Sequence, residues 1–226
     1  MTAHFFRRRT VLWPTLLGWA GLSIIFGIPF ISWSFQAEPF LAKTQRQPAD
    51  ILVVEGWIGI EGIKAAKTEF EQGGYRYLIA SGGMSDNRWN KRQWNLAVEA
   101  EEMLLSLGLS KEQVIAAASE DVHNHRTFAS AIAVSRALQQ RGIQSKAVNV
   151  FTLSVHARRS RLVYAKVLPS EMAVGVISWA PPGYYSEPWW HSSERTLDLL
   201  KESVGYPFEA LLNSGRLSNS AIQPGP

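Results

Sequence analysis

The chain contains no cysteine. That excludes disulfides, thiolate metal sites and cysteine nucleophiles, and it permits an oxidising compartment without requiring one. No side chain from Thr10 to Ala37 carries a formal charge, and no acid precedes Glu38. The basic pI therefore has a local origin. Arg7, Arg8 and Arg9 supply +3 of the net +4, and the chain beyond them carries 20 basic against 19 acidic side chains. So balanced a remainder lacks the charge that neutralises phosphates, which excludes nucleic acid as a partner. Two motifs are missing as well. Gly-x-Ser-x-Gly is absent, so no nucleophile elbow is expected. No Gly-x-Gly-x-x-Gly follows the first apolar run after the N-terminal segment, so standard NAD chemistry is not expected and no cofactor is named.

Val11 to Phe35 is dominated by Leu, Ile, Phe, Trp and Gly. About 20 apolar residues suffice to cross a bilayer as a helix, so residues 11–35 are read as a transmembrane anchor. Trp13 and Trp33 sit near its ends, where indoles favour the headgroups. The three arginines before the span place residues 1–10 in the cytoplasm and the rest of the chain outside the plasma membrane, as a single-pass periplasmic domain. A cleaved signal peptide is the competing reading. Its apolar core would be unusually long, and Phe35-Gln36-Ala37 lacks the small residue expected two positions before Ala37.

Residues 36–48 read as a polar linker, 49–212 as one α/β domain and 213–226 as a disordered tail. Within the domain, short apolar runs alternate with helical stretches. Strands are expected over 51–54, 75–80, 114–117, 148–153 and 173–179. Helices are expected over 60–72, 94–107, 127–140, 157–167 and 193–212, the last bent at Pro207. Runs such as Ile51-Leu52-Val53-Val54 do not alternate with polar residues, as expected for strands buried on both faces. The fold class that follows is a three-layer, Rossmann-like α/β domain with a mostly parallel sheet of about five strands.

Ligands of such sheets bind beyond the carboxyl ends of the strands. Those ends are Glu55-Gly56-Trp57, Ser81-Gly82-Gly83 and Thr152 to His156, with Arg158 and Arg159 following. Gly82 and Gly83 let backbone approach a ligand, Arg159 suits an anion, and His156 is placed for proton transfer. Glu99 is a further acid near a possible crevice edge. Each has a plainer reading: turn glycines, a solvated arginine, a structural histidine, a surface acid. Asp121-x-His123-x-His125 projects three ligand-type side chains to one side of an extended chain, and a polar loop is the plainer alternative to metal binding. Trp189-Trp190-His191 closes an aromatic loop that can lid a crevice, dip into a membrane interface or pack on the last helix; packing is expected.

Pro48-Ala-Asp-Ile-Leu-Val-Val-Glu-Gly56, Ser81-Gly-Gly83, Glu99-Ala100 and Thr152 through His156-Ala-Arg-Arg159 together resemble the ElyC/SanA/YdcF family over roughly residues 48–180. Glu55-Gly56-Trp57 is similar to a subgroup with tryptophan after the first glycine. The resemblance implies a Rossmann-like sheet, a membrane anchor and a role in bacterial envelope biogenesis. It implies ligand-site roles for Gly56, Gly82, Gly83, Thr127 and Arg159, with His156 and Glu99 as the catalytic candidates; Glu55, Trp57 and Ser81, which flank these positions, are expected to bind ligand as well. One stretch departs: Ala129 and Ser130 stand where the family has Glu-Asn. The function expected is binding of a small anionic or nucleotide-like ligand by a hydrolase or transferase. A non-catalytic scaffold or sensor is the alternative, and a metal-dependent hydrolase using Asp121, His123 and His125 is the third reading.

Overall fold

A computed structural model describes residues 13–85, 94–122 and 124–212. The chain divides into two units, residues 1–37 and 38–226. In the first, α1 (Leu16–Leu22) runs through a π turn at Ser23–Gly27 into α2 (Ile28–Leu41), whose last four residues belong to the second unit. The helix from Leu16 to Leu41 is long and apolar enough to cross a membrane or to act as a signal sequence. Residues 1–10 and the tail from 213 lie outside the described residues.

The second unit is an α/β domain built on five strands: β1 (Ile51–Glu55), β2 (Tyr77–Gly82), β3 (Val114–Ala118), β4 (Ala147–Leu153) and β5 (Ala173–Trp179). All pair in parallel, in the order β3-β2-β1-β4-β5. The strands alternate with α3 (Gly59–Gln72), α4 (Leu96–Ser106), α5 (Arg126–Gln140) and α6 (Ala157–Val167), and α7 (Ser193–Leu212) follows β5. Period two sends Ile51 and Val53 to one face with Val134, Leu138 and Val163 of α5 and α6. Leu52 and Val54 face the other way, onto Ile63, Phe70, Ala100 and Leu104 of α3 and α4. Both faces are covered, which is why β1 is buried at every residue and reads as an unbroken apolar run from Ile51 to Val54.

Two departures from expectation have local causes. Tyr75 precedes β2: its ring stacks on Phe70 at 6.4 Å, and its hydroxyl bonds Glu69 and Asn149. Residues 36–48, expected as a linker, are structured. Helix α2 continues to the buried Leu41, Gln45 and Val176 exchange two backbone hydrogen bonds of 2.8 Å, and Gln47 is fixed from both its N–H and its carbonyl by the buried Asn149 side chain. Composition made the segment look loose; one buried asparagine in β4 stitches it to the sheet.

Candidate functional site

Strand order reverses between β1 and β4, and Glu55 ends β1 beside that seam. Its buried carboxylate accepts hydrogen bonds from Thr152 Oγ1 of β4 at 2.5 Å, Ser160 Oγ of α6 at 3.0 Å and Trp57 Nε1 at 3.1 Å. Three donors satisfy a group whose burial would otherwise be costly. Ser81, next door on β2, is also buried and bonds Tyr164 Oη at 2.9 Å. Burial pushes the Tyr164 hydroxyl pKa up, so it stays protonated.

After β4 the chain turns through Ser154, at φ 44°, into a short 3-10 turn (Ser154–His156) and then α6. The left-handed residue is an uncommon one for a side chain longer than glycine. It directs buried His156 toward α7. There Nδ1 lies 2.9 Å from Glu202 Oε1, Nε2 lies 3.7 Å from Asp198 Oδ1, and the indole of Trp57 meets the ring edge-on at 4.7 Å. Glu202 is fully buried and also receives both arms of Arg159, at 2.6 and 2.7 Å. Burial works against the imidazolium, but hydrogen bonds and charge from Asp198 and Glu202 outweigh it and raise the His156 pKa. Burial likewise works against the Glu202 carboxylate, and its bonds to His156 and Arg159 hold it down at about 2. The result is a cluster in which buried Glu202 is shared by His156 and the half-buried Arg159, and which favours the charged form of the imidazole.

A crevice of about 540 Å³ opens at this edge, lined by Glu55, Trp57, Gly82, Gly83, Thr127, His156 and Arg159. Helix starts converge on it. Leu96 at the start of α4, Arg126 and Thr127 at the start of α5, and His156 just before α6 all contribute to its wall. Asn95 caps α4 by accepting from Ala97 N–H at 2.9 Å. Helix N-termini favour negative charge, and Arg126 and the exposed Lys201 of α7 add to the same wall, which also carries the carboxylates of Glu55, Asp198 and Glu209. The glycines admit this convergence for a packing reason. A Cβ on Gly56 would lie 2.4 Å from the Leu96 carbonyl oxygen, and one on Gly82 would lie 2.9 Å from Leu96 Cβ.

The structure thus gathers Glu55, Trp57, Gly82, Gly83, Thr127, His156 and Arg159 around one crevice. Gly56 and Ser81 lie behind it, in packing and in the buried hydrogen bonds. Glu99 is exposed in the first turn of α4 and does not line the crevice. His125 lines it at φ 57°, as the residue before α5. His123 lies outside the described residues, and no metal-ligating group of three acids or histidines occurs among those described. Sequence reasoning missed Asp198, Lys201 and Glu202. One signal was available: Arg195, Glu202 and Glu209 recur every seven residues in an otherwise apolar-rich helix, and all three are buried.

Fold and site together define a Rossmann-like α/β domain with its crevice at the strand-order reversal. Comparison with protein-family models, curated proteins and solved structures finds no match.

Proposed function

We propose that this protein is a membrane-anchored relative of the ElyC/SanA/YdcF proteins that binds a small anionic or nucleotide-like ligand beside His156, as a hydrolase or transferase of envelope biogenesis. The observation that carries the reading is the convergence of helix starts, Lys201 and His156 on one crevice, where Asp198 and Glu202 raise the imidazole pKa. In this role His156 donates a proton to the departing group, while Glu202 holds the imidazole through Nδ1. Arg159, committed to Glu202 through two bonds, is a positioning residue. Lys201 and the amide of Gly83 take the negative charge. Ser130 lines the crevice where the resembled pattern has asparagine, which favours a binding-only role as the second reading.

Thermal unfolding of the full chain in detergent tests this, with pyrophosphate and AMP as probes. A ligand at a hundredfold its Kd stabilises by about 2.7 kcal/mol, roughly 5–10 °C for a chain of this size. That shift is expected to vanish in Lys201→Glu, a change at an exposed side chain. No shift with either probe, or a shift that survives Lys201→Glu, sinks the reading. Phosphate release from pyrophosphate or AMP separates catalysis from binding alone.

The anchor reading places the span at residues 11–35 and the domain outside the plasma membrane, supported by the three arginines and absent acids before Glu38. A full chain carrying Lys64→Cys, its only thiol, is then expected to react with an impermeant maleimide on intact spheroplasts. Reaction only after lysis contradicts the orientation.

A further inference from the structure

Helix α7 is amphipathic in the wrong sense for a surface helix. Its inner face carries three buried charges, each partnered: Arg195 with Glu38 at 2.6 Å, Glu202 with His156 and Arg159, and Glu209 with Lys166 at 3.7 Å. Its outer face carries Leu197, Leu200, Val204, Phe208 and Leu211, each between 44 and 80% exposed. At 3.6 residues per turn these five fall within an arc of about 80° and extend about 21 Å along the axis. A surface helix ordinarily turns such a stripe inward; a contiguous exposed stripe marks a contact surface.

We propose that this outer face of α7 lies in the headgroup region of the membrane, an inference that rests on the anchor reading. Two observations favour lipid. First, the chain leaves its uncharged run with no slack: Glu38 is ion-paired to Arg195 of α7, the Phe40 ring lies 5.8 Å from that of Tyr206 of α7, and Leu41 is buried. The residues that directly follow the uncharged run are thus packed on α7 itself, so few residues of chain separate that helix from the proposed anchor. Second, the half-exposed Trp190 precedes the first turn of α7, and its indole suits the boundary between headgroups and acyl chains.

The absence of native cysteine makes the test direct. Full-length chains carrying Leu197→Cys or Val204→Cys are labelled with an environment-sensitive fluorophore and reconstituted into phosphatidylethanolamine–phosphatidylglycerol vesicles, beside Phe26→Cys in the span and Lys64→Cys on α3. Labels at 197 and 204 are expected to be quenched several-fold more by doxyl-labelled lipid than by iodide, with Lys64→Cys showing the reverse. Iodide quenching at 204 equal to that at 64, with the label at 26 in lipid, refutes lipid contact by α7 while leaving the anchor intact. Protection at 204 from both quenchers, with Val204→Cys chains cross-linking to one another, assigns the stripe to a second copy and equally refutes it. A label at 26 outside lipid refutes the anchor and this inference together.

Discussion

Glu202 is the residue on which the site's electrostatics turn, because its fully buried carboxylate bonds both His156 and the half-buried Arg159. Removing one member of such a cluster leaves charge in a dry interior, a loss of about 3–5 kcal/mol. Glu202→Gln keeps shape and removes only charge, so its Tm is expected to fall on the order of 10 °C. A loss under about 1 kcal/mol, the size of a surface pair, would mean that His156 and Arg159 are neutralised some other way. The pH dependence follows from the same groups. The His156 pKa is raised, so its contribution is complete below the unfolded value of 6.5 and is lost as pH rises through the folded value. The Glu202 pKa is depressed to about 2, so its contribution is complete above 4.5 and is lost as pH falls toward 2. The stability difference between the native chain and His156→Ala is therefore greatest between pH 4.5 and 6.5 and narrows as the solution becomes alkaline. A difference constant from pH 5 to 9 contradicts a charged His156.

Among the elements, the start of α4 sets how closely a helix can approach the strand ends. Gly56 leaves no room for a methyl group, since the atom in its way is a backbone oxygen that no rotamer change can move. Gly56→Ala is expected to cost about 1–3 kcal/mol and to displace α4 from the crevice wall, measured by denaturant unfolding. An unchanged midpoint would show that α4 can retreat freely. Helix and strand positions were largely legible in the sequence because each strand is wrapped on both sides. Ile51 to Val54 and Val174 to Ile177 had to be apolar throughout, and a run of that kind admits few other readings. Tyr75 was misplaced because an aromatic beside a strand has strand-like propensity while its position is fixed by Phe70 and Asn149. Helix α7 was located but its faces were not. The seven-residue spacing of Arg195, Glu202 and Glu209 puts them on one face, but only their partners, distant in the chain, show that face to be the buried one.

Across the whole molecule, parallel strands carry residues far apart in the chain to one rim. Glu55, Gly82, Thr127 and His156 were readable as members of that rim because each follows, or ends, a recognisable strand or opens a helix. Asp198, Lys201 and Glu202 were not, because no local rule says which earlier element a final helix will fold back upon. That return is what gives a buried histidine after a strand two carboxylate neighbours at the edge of a crevice. The most direct measurement is the nitrogen NMR titration of the His156 imidazole in the full chain, without and with pyrophosphate. The expected result is an apparent pKa above 6.5 that rises further when pyrophosphate occupies the crevice, since a nearby anion favours the charged ring. A histidine that titrates below 6.5 and does not respond to pyrophosphate would contradict both the cation and the anion site built around it.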